Sequence, residues 1–283
     1  AGADGLGRVV DRAANRVGPQ LALRSLLLER FVRRAGIDRS FDVAVSTANE
    51  FALPLPSVQY VHYPQFNRHR IAGDGGAWNR LVTRVAGVDP LPDDATLLAN
   101  SGWTADLVGA LYGRRPAVVF PPVDPVEGTE PWAAREPGVV HVGRIAPDKR
   151  VLRAVRIVEG VRERGHDVHL HLVGSASPAY ADYVRRVERV VRGRPWLSLE
   201  RDVSRARLEA LLGRHRYGIV AKPDEHFGMS LAEFVAAGMV AFAPDSGGQV
   251  AVLDGRADRL YGSVEEAVSL VDAAIRRGDG PSL

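Results

Sequence analysis

Residues 218–233 read Gly218-Ile219-Val220-Ala221-Lys222-Pro223-Asp224-Glu225-His226-Phe227-Gly228-Met229-Ser230-Leu231-Ala232-Glu233. A short apolar run stops at a polar turn, and a helical pattern of small residues follows. Gly218–Ala221 is expected as a buried strand and Leu231–Ala237 as a helix. Two glutamates stand eight positions apart across the Phe-Gly turn. That spacing sets Glu225 in a loop at a helix mouth and Glu233 in the first helical turn, so both carboxylates can face one small ligand. The free N–H groups of the helix start can face its anionic part. A plainer reading stands beside this one. Ser230 and Glu233 form an S-x-x-E pair, a capping box in which Glu233 only satisfies the Ser230 amide. Glu225 is then a solvated loop acid.

The alternation extends outward along the chain. Apolar runs of three to six residues are expected as strands at 42–46, 58–62, 96–99, 117–120, 139–142, 168–173, 197–199, 218–221 and 240–243. Helical patterns fall at 7–35, 78–86, 104–112, 150–164, 179–192, 205–214, 231–237 and 264–276. Several strands are continuously apolar rather than alternating, which suits parallel strands covered on both faces. Strand–helix alternation of this kind predicts an α/β fold with parallel sheets. The stiff Pro-rich stretch Phe120-Pro121-Pro122-Val123-Asp124-Pro125-Val126-Glu127-Gly128 reads as a linker. The expected domains are therefore 1–122, a partial Rossmann-like unit, then a linker at 123–137, then a complete unit at 138–283.

Composition excludes several classes. Of 283 residues, 46% are apolar and 25% charged, as in a soluble globular protein. There is no Cys, so disulfides, thiolate metal sites and a Cys nucleophile are ruled out, and a cytoplasmic location is expected. The net charge of +3 lies in the first part: residues 1–122 hold 14 Arg against 11 acids, and the remainder balances at 23 against 23. A mildly basic first unit suits an anionic acceptor or a peripheral contact at the inner face of a membrane. It does not suit nucleic acid, and aromatic–basic interleaving is missing. Arg supplies nearly all the positive charge; Lys149 and Lys222 are the only lysines. The chain does not start with Met and opens inside a helical pattern, which reads as a fragment.

Ligands of open α/β sheets bind at the carboxyl ends of strands, so the residues just after strands carry the chemistry. After 139–142 come Gly143-Arg144-Ile145-Ala146-Pro147-Asp148-Lys149. A guanidinium fork and an ammonium point charge together suit a diphosphate. The plainer reading pairs Arg144 with Asp148. Strand 168–173 ends in Gly174-Ser175, and strand 240–243 in Pro244-Asp245-Ser246-Gly247-Gly248-Gln249. The Gly247-Gly248 pair can let backbone approach a sugar or phosphate closely. His62 closes an early strand, where it can bond a ligand hydroxyl or serve as a structural His. His169 and His171 share one strand face, as metal ligands do, but no third ligand accompanies them in sequence, and they read as core or surface histidines. No Asp-x-Asp occurs, which argues against anchoring a nucleotide through a divalent ion. No G-x-G-x-x-G stands at 143–174, which disfavours nicotinamide.

Gly143-Arg144 with Lys149, Glu225-x7-Glu233, Asn100-Ser101-Gly102-Trp103-Thr104 and Pro121-Pro122-Val123-Asp124 together resemble glycosyltransferase family 4. The resemblance covers nearly the whole chain. It implies the retaining, metal-independent GT-B fold, with two Rossmann-like domains facing a cleft. Val61-His62-Tyr63-Pro64, Glu225-His226-Phe227-Gly228, Ala236-Ala237-Gly238 and Ser246-Gly247-Gly248 are most similar to its dolichol-linked α-1,2-mannosyltransferases, which use GDP-mannose. The resemblance implies roles. Arg144 and Lys149 hold the donor diphosphate, Glu233 the ribose hydroxyls, and Glu225 sits by the donor hexose. His62 reaches the hexose from the acceptor domain. Backbone at Gly143, Gly174, Phe227, Gly228, Met229 and Ser230 approaches the donor. The implied partners are a nucleotide sugar and a lipid-linked or glycan acceptor, with no cofactor and no metal. The family's opening strand and glycine-rich loop have no counterpart before Ala1, so the first domain reads as truncated. A GT-B sugar-nucleotide epimerase and a non-catalytic nucleotide-sugar-binding remnant are the alternatives.

Overall fold

The computed structural model describes residues 30–47, 49–51, 53–64 and 93–280. The expected helix over 78–86 and most of that over 7–35 lie outside them. The chain divides into two compact units, Ala1–Phe120 and Pro121–Leu283.

Among the described residues of the first unit, four strands form one parallel sheet in chain order: β1 (Ala44–Ser46), β2 (Ser57–Val61), β3 (Thr96–Ala99) and β4 (Ala117–Val118). Helix α1 (Gly102–Tyr112) follows β3. Its start is fixed by Ser101, whose hydroxyl accepts the Thr104 N–H at 3.0 Å, an N-cap that satisfies one orphan amide. The Ser and Thr of the Asn100–Thr104 motif are thus spent on helix initiation. Val61, Ala95, Leu97 and Val108 are buried together between sheet and helix.

The second unit is a six-stranded, all-parallel sheet. Its strands are β5 (Glu136–Val142), β6 (His169–Gly174), β7 (Leu197–Arg201), β8 (His215–Ile219), β9 (Val240–Pro244) and β10 (Leu260–Tyr261), in the order β10-β9-β8-β5-β6-β7. Between them run α2 (Val151–Glu163), α3 (Ala181–Arg192), α4 (Arg205–Arg214), α5 (Met229–Ala236), the short α6 (Gln249–Val252) and, last, α7 (Val264–Arg277). Side chains alternate between two buried faces, which is why these strands read as unbroken apolar runs. Val139, Leu170, Leu172, Ile219 and Phe242 pack with Ile157 and Val161 of α2 and Val271 of α7. Val140, Val173, Val220 and Ala241 pack with Leu212 of α4 and Leu231 and Phe234 of α5. Fully burying such a side chain contributes about 1.5–3 kcal/mol, and α2 alone buries Val151, Ala154, Val155, Ile157, Val158 and Val161.

The strand order defines a switch point. From β5 the chain winds outward to β6 and β7, then returns to the other side of β5 and continues through β8, β9 and β10. The two halves part between the carboxyl ends of β5 and β8, the place where open α/β sheets offer a crevice. The proline-rich stretch after Phe120 packs on this unit: Val126 is buried among α4 and α5 residues, and the Glu130 N–H donates to Gly213 O at 3.0 Å.

Candidate active site at the β5–β8 switch point

The loop after β5 supplies Gly143 and Arg144, then one turn of 3-10 helix, Pro147–Lys149. Lys149 therefore precedes α2 rather than starting it: Arg150 takes a left-handed conformation, and the α-helix begins at Val151. The loop after β8 runs through Lys222 to Glu225. Both lysines of the chain meet there on one carboxylate. Lys149 Nζ bonds Glu225 Oε1, and Lys222 Nζ bonds Oε2 at 3.2 Å. Glu225 is largely buried, with 14% of its side chain exposed. Burial raises its pKa, and the hydrogen bonds and charges of Lys149 and Lys222 more than reverse this, holding the carboxyl below its ordinary value. Two ammonium groups against one carboxylate leave one net positive charge on the Lys149–Glu225–Lys222 cluster itself.

His141 of β5 lies fully buried beside this cluster. Its Nδ1 bonds Ile219 O at 2.9 Å and its Nε2 has no partner. Burial, chiefly, lowers its pKa. From α2, the buried Arg153 guanidinium donates to Ala221 O at 3.3 Å and Gly262 O at 2.9 Å, fixing the backbone that carries Lys222.

Backbone also ties the β8 loop to the β9 loop. Glu225 and Gly247 form a parallel bridge, and the Gly248 N–H donates to Glu225 O at 2.7 Å. Gly247 sits at φ +77°, and a Cβ there or on Gly248 would overlap backbone of Asp224–Phe227. The absence of a Cβ at both positions is what lets the two loops meet. Gln249, buried at the head of α6, completes the tie by donating to Lys222 O at 3.3 Å and Pro244 O at 3.1 Å. Gly143 and Gly174 touch in the same way: a Cβ on Gly174 would overlap Gly143 O.

The capping-box reading of Ser230 and Glu233 fails. Helix α5 begins two residues earlier, at Met229, after Gly228 in a left-handed conformation at φ +106°, and no side chain caps it. Glu233 thus falls in the second turn, and its carboxylate pairs with Arg205 from the start of α4. Arg144 makes the plain contact foreseen for it, donating to Asp148 at 3.0 Å with 55% of its side chain exposed. Phe227 is buried, while Met229 is exposed.

In the first unit His62 lies just past the end of β2. Its N–H donates to Asn49 Oδ1 at 2.7 Å, its Nε2 meets Thr47 O at 3.0 Å, and its ring stands edge-on to Tyr60 at 4.9 Å. Thus the fold joins Lys149 to Glu225, and leaves Arg144 with Asp148 and Glu233 with Arg205. Lys222, His141, Arg205 and Gln249 are additions. Lys222 was marked by the scarcity of lysine and its place after a strand, and nothing in sequence marked Arg205.

The family model described as glycosyl transferases group 1 matches residues 136–277, β5 through α7. The chain belongs to this family. A GDP-Man:Man(3)GlcNAc(2)-PP-Dol alpha-1,2-mannosyltransferase of Eremothecium gossypii is 26% identical over 164 residues, 53% of this chain and 28% of that protein. Its namesake of Neurospora crassa is 25% identical over 248 residues, 69% of this chain and 44% of that protein. The chain spans less than half of the length of these curated relatives. Among solved structures, Anabaena HepE in complex with UDP and glucose superimposes with TM-score 0.67 at 16% identity, covering 94% of this chain and 74% of that one. A glycosyltransferase from Rickettsia africae gives 0.63 at 14%, with 92% and 72% covered. This likeness establishes the fold class, α/β of the GT-B type.

Proposed function

We propose that this glycosyltransferase-family chain moves a hexose, mannose from GDP-mannose, to a lipid-linked or glycan acceptor with retention at the anomeric carbon. One observation carries the reading: two lysines converge on Glu225 at the switch point of a parallel sheet, where α/β folds take nucleotides. The net positive charge there suits a donor diphosphate. The names of the curated relatives support mannose and a dolichol-linked acceptor, and the UDP and glucose held by HepE support a nucleotide-sugar donor.

On this reading Arg144 and Lys149 meet the charge that grows on the leaving diphosphate. Arg144 is available, because an exposed pair such as Arg144–Asp148 is worth at most about 1 kcal/mol and is readily exchanged for a better partner. Lys149 shares its charge between Glu225 and the donor. Glu225 is held ionised with an ammonium on each oxygen, which suits it to accept hexose hydroxyls and weakens it as a nucleophile. The reaction then runs by positioning, with the departing phosphate taking the acceptor proton. Glu233 exchanges Arg205 for ribose hydroxyls. A peripheral membrane contact brings the lipid-linked acceptor. Among the described residues no helix is long and apolar enough to cross a membrane.

A thermal-shift screen of nucleotide sugars, followed by anomeric analysis of the product, tests this. GDP-mannose is expected to raise Tm most, and the product is expected to keep the donor's configuration. Stabilisation by no nucleotide sugar would refute the donor site. Conversion of the donor to an epimer without acceptor would identify an epimerase instead.

A further inference from the structure

The opposite edge of the same sheet holds three imidazoles. His169 and His171 on β6 are joined by His215, the first residue of β8, and one ring nitrogen from each lies within 4.8 Å of the others. Ring centroids are 5.3 Å apart for His169–His171, 5.1 Å for His169–His215 and 4.7 Å for His171–His215. β5 runs between β6 and β8 and would normally separate them. It does not, for two reasons. Residue 138, opposite His169, is glycine, and a Cβ there would overlap both the His169 and His215 rings. A register shift between Glu136 and Val139 also sets three steps of β5 against two of β8, the kind of irregularity that re-aims a side chain. His169 Nε2 and His215 Nε2 thereby stand 3.0 Å apart.

We propose that His169, His171 and His215, with Glu136 as fourth ligand, bind one divalent transition-metal ion of the zinc type. The remaining contacts prepare the ligands for it. His215 Nδ1 donates to Leu211 O at 2.6 Å, which leaves its Nε2 lone pair toward the cluster. His171 Nδ1 bonds Glu200 Oε1 at 2.8 Å, and Arg207 clamps that carboxylate from 2.8 and 3.0 Å. Imidazoles that ligate metals are oriented by such carbonyl and carboxylate partners. Glu136 Oε1 is held by Arg214 at 3.0 Å, while Oε2 lies 3.6 Å from His169 Nε2 and 3.9 Å from His215 Nε2. With Zn–N bonds of about 2.0–2.1 Å, tetrahedral nitrogens sit about 3.3 Å apart, close to the 3.0 Å between His169 Nε2 and His215 Nε2. Three nitrogens and one carboxylate oxygen suit zinc, nickel or copper; magnesium and calcium want oxygen throughout. A closed set of four protein ligands makes this a structural clamp across β5, β6 and β8.

The test uses untagged protein stripped with chelator and titrated with zinc chloride by calorimetry, and with cobalt(II) by visible absorption. Expected are one equivalent of zinc, a tetrahedral cobalt spectrum, and a Tm that rises with zinc. His169→Gln should weaken zinc by at least about 100-fold and Glu200→Gln by about 10- to 100-fold. About a third of the His169 side chain is exposed, so its replacement tolerates folding, which the metal-free Tm checks. A stripped protein with neither saturable zinc binding nor a zinc-dependent Tm overturns the proposal, as does His169→Gln binding zinc like the parent. Thermal shifts with nucleotide sugars should be the same in His169→Gln and parent, which separates this site from the donor site.

Discussion

Lys149 and Glu225, 76 residues apart in sequence, are joined by a hydrogen bond from Nζ to Oε1 that bridges the loops after β5 and β8. The bond crosses the switch point of the sheet. It fixes the carboxylate from one side while Lys222 fixes it from the other, so the site is ordered by its own charges.

Replacing Arg144 separates binding from folding. Its one ion pair is exposed, so Arg144→Ala is expected to leave Tm within the equivalent of about 1 kcal/mol. Turnover should fall about 100- to 1000-fold, the loss typical of one preorganised donor facing growing negative charge. Steady-state kinetics checks this, and an unchanged rate would remove Arg144 from the diphosphate site.

Glu233 distinguishes ribose binding from scaffolding. Because it caps nothing and, among the described residues, its carboxylate pairs with a half-exposed arginine, Glu233→Gln should barely move Tm. The donor KM should rise with little change in kcat. A fall in kcat alone would contradict the assignment.

Acid should loosen the site in a defined window. The folded pKa of Glu225 lies below its ordinary value of 4.5, because the two lysines outweigh burial. Such a group lends its full stabilisation above the unfolded pKa and loses it as pH falls through the folded one. Glu225→Gln is therefore expected to lower Tm at pH 7 and to flatten the decline of Tm below about pH 4.5. Parallel acid limbs for parent and variant would show that Glu225 is not held by the lysines.

Gly248→Ala tests the tie between the loops. Gly248 has an ordinary φ of −67°, so strain plays no part, and the cost is the overlap with His226 backbone. Backbone cannot step aside as a flexible side chain can. A loss of about 1–3 kcal/mol is expected, as for other overpacked positions, together with a weaker donor shift because Glu225 moves with its loop. Chemical denaturation measures the first and thermal shift the second.

The sequence spoke clearly wherever apolar runs were long. β5, β6, β7 and β9 were legible, as were α2, α3, α4 and α7, because burial on two faces or one leaves a period in the chain; β8 was expected at 218–221 and begins earlier, at His215. Two-residue β10 and four-residue α6 are too short to leave one. His215 was missed because β8 starts directly after α4 with His-Arg, two polar residues that hide its first turn into the sheet. The third imidazole is remote along the chain and adjacent only through strand order. Glu225 was found by spacing, and Lys149 by its place after a strand, yet their union depends on β5 and β8 being neighbours. The capping box misled for a local reason: Gly228 adopts the left-handed conformation that starts α5 early, and the Ser-x-x-Glu pair then falls inside the helix.

Because Lys149 and Lys222 are the only lysines in the chain and both touch Glu225, every side-chain amine is a built-in reporter at a single spot. Reductive methylation with isotopically enriched formaldehyde would place two NMR labels there without any substitution. Their chemical shifts would read occupancy of the crevice directly, and shielding from amine-reactive reagents would map it by mass spectrometry.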